Sequence, residues 1–175
     1  LIVSRKSDER ILKDFQAKMI QQISVLSEIA DEFSNYAELP SGNMKEVDLL
    51  IILNKIINLF KHENQVKFKV NTNDINSFKI SGVENQLIRV FNNLIQNSLQ
   101  AMNHKGLIQI KLQKTANNLL VDFIDNGSGI PLEIHQKIFE PKFTTKSKGK
   151  GLGLALVWQI ISNHNARISI SNKSQ

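Results

Sequence analysis

The sequence contains no cysteine. Disulfides and thiolate-bound metal centres are therefore excluded, and the composition fits a reducing compartment. No apolar run is long enough to span a bilayer, and no stretch reads as a signal peptide. The opening Leu1-Ile2-Val3 is too short for either. Internal repeats and low-complexity segments are lacking. So are an aromatic-rich strand motif and a recognition-helix signature, which argues against a nucleic-acid partner despite a net charge of +6. What is present is an ordinary globular composition, with 41% hydrophobic and 22% charged residues in 175. That length suits one domain plus an appendage. The positive charge suggests an anionic partner such as a nucleotide, or serves solubility alone.

Two unlike parts follow one another. Over residues 8–39, Leu12, Phe15, Met19, Gln22, Leu26, Ile29, Phe33 and Tyr36 alternate in steps of three and four, the seam of a coiled coil with one polar position. Ile11, Ile23, Ala30 and Ala37 widen the stripe, so the helix seeks more than one neighbour. Pro40, Ser41 and Gly42 end it. We divide the chain there, into residues 1–42 and 43–175. In the second part, "VDLLIILNKIINLF" reads as a short extended start running into a helix. "VKFKV", "SFKIS", "LIQIKLQK", "LLVDFID" and the closing "ARISIS" read as strands. Residues 83–103 have helical spacing, a helix is expected after Pro131, and another begins at Gly151 after an irregular stretch over 139–150. The class is α+β, with a mixed sheet and helices on one face.

Three clusters carry chemistry. Asn93 and Asn97 lie four apart on one face of the helix 83–103, where amides among apolar residues need partners; Asn92 and Gln96 point elsewhere, toward solvent. "DNGSGI" (125–130) follows a strand, so Asp125 can accept from an amino group while Gly127 and Gly129 turn the chain. Glycines at its third and fifth positions, and Gln136 at the twelfth, exclude a calcium loop. "KGKGLGL" (148–154) precedes an apolar helix. It is neither a Walker loop, lacking the Lys-Ser or Lys-Thr pair, nor a Rossmann turn, lacking a preceding strand. A mobile loop feeding a helix N-terminus remains. Its unpaired N–H groups favour an anion, with Lys146, Lys148 and Lys150 beside it.

"NNLIQNSLQAM", "DNGSGI", "IFEPKFTTK" and "GKGLGL", in that order, resemble the four ATP-binding boxes of the GHKL superfamily, most nearly those of sensor histidine kinases. The resemblance covers about residues 45–171. "DEFSNYAELP" resembles the end of the second dimerisation helix in nitrogen-regulation (NtrY-like) kinases. The resemblance implies a Bergerat-type two-layer α/β sandwich, preceded by the long coiled-coil-like helix. It implies that ATP or ADP binds with Mg2+, that Asp125 accepts from the adenine amino group, and that Asn97 coordinates the metal while Asn93 lies near the phosphates. Gly127, Gly129 and Ile130 would line the base. Phe139 to Lys150, including Thr145 and Lys146, would form a lid hinged on Gly149, Gly151 and Gly153, with Leu152 at the helix start. Related ATPases place Glu where this chain has Asn93, and an amide cannot act as a base toward water. Phosphoryl transfer to a histidine is therefore expected over hydrolysis. A nucleotide-sensing interaction module and a GHKL-type ATPase are the alternatives.

The phosphoacceptor His-Glu pair of the first dimerisation helix is missing. His62 and Glu63 lie inside the ATP-binding part with no Pro after them, and His104, His135 and His164 read as surface or helix-end residues. No residue of this chain is thus expected to receive phosphate. The resemblance further implies a homodimer through helix 8–39 and the absent first helix, a response-regulator receiver domain as partner, and a cytoplasmic location without membrane contact by this segment. An anchor of the intact protein in the inner membrane stays open. "SNHNARISI" stands where relatives carry a His-Gly-Gly turn, and Asn165 is expected to take the left-handed conformation in place of glycine.

Overall fold

The computed structural model describes residues 12, 15–23, 42–115, 118–146 and 149–172. The chain forms two compact units, Leu1–Glu38 and Leu39–Gln175. In the first, residues 15–23 are helical, and Leu12, Phe15, Met19, Ile20 and Ile23 are exposed. The rest of the expected seam, from Leu26 to Tyr36, lies outside the described residues.

In the second unit, β1 (Lys45–Asp48) pairs antiparallel with β3 (Lys79–Gly82). β2 (Val66–Asn71) runs parallel to β4 (Gly106–Lys114), and β4 runs antiparallel to β5 (Leu119–Asp125), in the order β2-β4-β5. The single mixed sheet expected from the sequence is therefore two sheets, because "SFKIS" pairs with the short strand ahead of the first helix and not with its longer neighbours. The helices are α1 (Leu49–Leu59), α2 (Glu84–Ala101) and α3 (Gly153–Asn163).

Pattern and packing agree closely in the centre. Ile108, Ile110 and Leu112 alternate along β4 and are fully buried, as a strand with one face on a core requires. Leu49, Ile52, Leu53 and Ile56 make the buried stripe of α1, and Leu87, Phe91, Ile95 and Leu99 that of α2; all join one core with the inner face of β4. Helix α3 packs along α2 and buries Ala155, Leu156, Val157 and Ile160.

Two side chains fasten helix ends to the chain on either side of β3. Asp48 caps α1 by accepting from the Leu50 N–H at 2.9 Å, and also accepts from Ser77 Oγ at 2.6 Å and the Phe78 N–H at 3.2 Å. His164 closes α3: its Nδ1 lies 2.8 Å from Ile160 O, and its Nε2 accepts from the Val83 N–H at 3.0 Å. A carbonyl on one side and an N–H on the other require the proton on Nδ1 and a neutral ring. His164 thus stands at the helix end, as expected, and also holds the start of α2.

Three expected elements differ. The segment after Pro131 forms only a 3-10 turn, Leu132–Ile134, followed by further turns. Pro131 is the residue before the turn, with φ -56° and ψ 139°, and none of Leu132–Ile134 is buried to sustain a longer helix. Helix α3 begins at Gly153, because Gly151 has φ +69° and cannot lie within it. "ARISIS" is not a strand. Ile168 and Ile170 are half-buried and their neighbours exposed, so the alternation is real. The Ala166 N–H, however, turns back to Ile161 O, and at the far end the Asn172 side chain pairs with Ile130 in place of a ladder. Asn165 does take the left-handed conformation, at φ 53°.

Burial alone would raise the pKa of Asp48, but the hydrogen bonds from Ser77, Phe78, Leu50 and Ile51 outweigh it and hold the carboxyl below its ordinary 3.8. A depressed carboxyl stabilises the fold above its unfolded pKa and loses that contribution as pH falls through the folded value. Asp48→Ala is expected to cost about 1–2 kcal/mol at neutral pH, read by urea denaturation, and the difference from the parent should shrink as the pH drops below 3.8.

Candidate functional site

Helix α2 presents four successive contacts along one side. Asn93 is half-buried, and its Nδ2 donates to Arg89 O at 2.9 Å within the same helix. Its Oδ1 faces the start of α3: a Cβ on Gly153 would sit 2.7 Å from it. One turn on, Asn97 is half-buried and accepts at Oδ1 from Lys146 Nζ at 3.0 Å; the same ammonium donates to Gln100 Oε1. Ser98 is buried, and its hydroxyl donates to Asp125 Oδ2 at 2.6 Å. At the end of α2, Ala101 leaves room for Gly127, whose added Cβ would lie 2.8 Å from Ala101 Cβ and 3.0 Å from Ala101 C. Asn92 and Gln96 are exposed.

The glycine loop after β5 is fastened from three sides. Asp125 Oδ1 accepts from the Gly127 N–H at 2.9 Å, closing an Asx-type turn. Gly129 has φ +72°, a conformation that favours glycine. Ile130 is gripped on both polar atoms by Asn172, with its N–H donating at 3.2 Å and its carbonyl accepting at 2.6 Å, while His135 Nε2 lies 2.9 Å from that carbonyl. The loop therefore enters any ligand contact with its backbone already ordered.

The segment before α3 is tethered but lightly. The Lys142 N–H donates to Gly151 O at 2.9 Å, and a Cβ at Gly151 would lie 2.5 Å from Lys142 C, so the chain folds back against this residue. The Lys146 N–H donates to Thr144 Oγ1 at 3.1 Å, and the Gly149 N–H donates to Lys146 O at 3.1 Å. Phe139 is half-buried beside the buried Ile138, and Thr145 is exposed. Leu152 precedes α3 as its N-cap and offers no side-chain cap. The first N–H groups of α3 thus lack the usual side-chain acceptor, and Gly153 lies against Asn93. Burial pushes the Lys146 ammonium below its ordinary 10.5. Lys148 lies outside the described residues.

The structure thus brings Asn93, Asn97, Asp125, Gly127, Lys146 and Gly153 onto one helix. Gly149 and Thr145, also expected at the site, are neighbours of Lys146 and have no contact to α2 of their own among the described bonds. Four structural partners escaped the sequence reading. Ser98 left a trace, as a hydroxyl at the spacing of Leu87, Phe91 and Ile95 on a buried stripe. Gln100, Asn172 and the bond from His164 to Val83 left none, because each depends on a residue far away in the chain.

Comparison with known proteins follows the same lines. The family model described as histidine kinase-, DNA gyrase B-, and HSP90-like ATPase matches residues 82–175. Sporulation kinase C of Bacillus subtilis is 32% identical over 131 residues, covering 75% of this chain and 29% of that protein. Nitrogen regulation protein NtrY of Azorhizobium caulinodans is 26% identical over 174 residues, covering 94% of this chain and 22% of that protein. The chain therefore spans less than a third of the length of either relative. The catalytic domain of histidine kinase ThkA, in a nucleotide-free form, superposes with TM-score 0.64 at 28% identity, covering 70% of this chain and 82% of that one. The kinase domain of the E. coli osmosensor EnvZ shares the fold, with TM-score 0.58 at 22% identity. The α+β sandwich expected from the sequence is the fold these structures share.

Removing the Ser98 hydroxyl leaves one oxygen of Asp125 without its partner. Ser98→Ala is expected to lower stability by about 1–2 kcal/mol, and proteolysis of the native protein should become faster at the 126–130 loop. Unchanged urea midpoint and cleavage would contradict the role given to this bond.

Proposed function

The chain belongs to the family of histidine kinase-, DNA gyrase B- and HSP90-like ATPases, and from that premise we propose that it is the catalytic, ATP-binding portion of a two-component sensor histidine kinase. Residues 43–175 form the nucleotide-binding domain in this reading, and residues 1–42 the second helix of a dimerisation domain.

The observation that carries the site is that Asp125, Asn97 and the start of α3 are all referred to one helix. The carboxylate end suits an adenine amino group. Asp125 already has Ser98 and Gly127 as donors, so it is oriented before a ligand arrives. The other end suits phosphates: α3 starts without a side-chain cap, and lysines flank it. The donor set also fits a magnesium ion delivered with the nucleotide. Asn97 Oδ1 already accepts from an ammonium, so this oxygen is turned toward a position that takes positive charge. A hard cation that keeps several waters needs few protein oxygens when phosphates supply the rest. Magnesium would neutralise phosphate charge there; Asn97 would hold it.

Asn93 supports kinase over hydrolase. Its amide is spent on Arg89 O and on the approach of Gly153, and it has no basicity to offer a water. The chain's contribution is then positioning and charge neutralisation while the γ-phosphoryl group leaves ADP for a histidine nitrogen on another segment. We place that segment on the first dimerisation helix, in a homodimer, with an aspartate of a receiver domain as the next acceptor. A cytoplasmic location goes with this role. Among the described residues no helix is long and apolar enough to cross a membrane.

Calorimetry should detect ADP binding that strengthens with magnesium. Asp125→Ala should weaken it about 10- to 100-fold, the worth of a hydrogen bond to a charged group, and Asn97→Ala should abolish the magnesium dependence. Equal affinity in parent and both variants removes this site. Incubated alone with labelled ATP, the chain should stay unlabelled. A separately supplied His-bearing helix from the same protein should acquire acid-labile label, and steady hydrolysis at about 1 per second or faster without such transfer would favour an ATPase.

A further inference from the structure

Lys146 contacts α2 in a manner the nucleotide reading does not require. An ammonium only donates, so whatever it bonds must present an acceptor. It meets Asn97 Oδ1 at 3.0 Å and Gln100 Oε1 at the same time. These two residues are three apart on one helix and therefore neighbours on its surface. Both amides turn their oxygens to a single point, and the charge there comes from a residue at the far side of the glycine-containing segment, 49 positions along the chain from Asn97.

We propose that Lys146 is a resident placeholder for the metal, held on Asn97 by Gln100 until nucleotide enters. This rests on the nucleotide-binding reading of the site. An ammonium and a magnesium ion on one amide oxygen would repel each other at close range, so metal binding requires Lys146 to leave. Gln100 makes leaving harder, because it supplies the second acceptor. Once displaced, the lysine carries its charge toward the phosphates that arrive with the metal, so the same side chain closes the empty site and answers the filled one. Two further contacts transmit the state of Lys146 to the backbone. Its own N–H bonds Thr144 Oγ1, and its carbonyl accepts from the Gly149 N–H. Releasing the ammonium therefore loosens these two bonds at Thr144 and Gly149. Gln100 is a positioning residue here, since it acts on metal and nucleotide only through Lys146.

The thermodynamic consequence is a tax on metal binding. When a ligand must select the minor fraction in which its site is open, its apparent affinity falls by that fraction. Gln100→Ala should therefore lower the magnesium concentration that half-saturates ADP binding by about 3- to 10-fold, the scale of one exposed charge-assisted hydrogen bond. ADP affinity without magnesium should stay as in the parent. In the metal-free, nucleotide-free protein the amides of Lys146 and Gly149 should exchange with deuterium faster by a similar factor. Lys146→Met removes the same contact from the other side and should match Gln100→Ala in the exchange measurement. A merely structural role for Gln100 would shift the urea midpoint and not the magnesium titration. If the parent binds ADP and Gln100→Ala changes neither the magnesium titration nor the exchange rates, the placeholder is refuted and the nucleotide site stands. If the parent binds no ADP at any magnesium concentration, the nucleotide reading fails and the placeholder with it.

Discussion

The hydrogen bond from Ser98 to Asp125 sets the geometry of the site. It joins the last turn of α2 to the end of an edge strand at 2.6 Å, and it does so with a carboxylate. An ionised acceptor makes the bond shorter and stronger than a neutral pair would. Because Asp125 also turns the backbone onto itself through Gly127, the same side chain fixes both where the strand stops and how the next loop begins. The separation of Asp125 from Asn97 is then a property of α2, measured along one rigid element.

Glycine is what lets the remaining pieces come close enough. Gly127 must lie against the last turn of α2, Gly153 against Asn93, and Gly151 against the backbone of Lys142 and Phe143, at separations where a methyl group would collide. The first two are close approaches to α2. The third is different in kind: a positive φ at a chain reversal, a conformation that favours glycine. The glycines of "KGKGLGL" therefore divide their duties, Gly151 serving the reversal of the chain and Gly153 the close approach to α2. Such a division cannot be inferred from spacing.

What the sequence made legible follows from the range of the interactions concerned. The buried stripes of α1 and α2 and the alternation in β4 are repeated many times within a few residues, so periodicity finds them. Asn93 and Asn97 were legible for the same reason, as amides four apart on a stripe. Alternation in "ARISIS" was equally clear, yet it reports only an extended backbone with one side inward; whether a ladder forms depends on a partner edge. Pro131 marked the start of a turn and could not say how long the turn would run. Ser98 was half-legible, and Gln100 and Asn172 were not. Their partners, Lys146 and Ile130, lie 46 and 42 positions away, where no local pattern extends.

The charge distribution along α2 explains why such a site can be selective for orientation. Of the side chains brought onto this helix, Asp125 is the anionic one and it stands at the end where the strand stops. The uncapped start of α3 stands beside Asn93, nearer the beginning of the helix, while Lys146 bonds Asn97 and Gln100 on either side of Ser98. Asn93 and Asn97 are neutral. A triphosphate entering backwards would set its negative charge against the carboxylate while leaving the N–H groups of α3 unanswered, and each mismatch raises the free energy of that pose. A carboxylate at position 93 would blur this polarity by adding negative charge beside the phosphates. In the proposed nucleotide site the amide there has two consequences with one cause: it withholds a base from water, and it adds no negative charge of its own beside the phosphates.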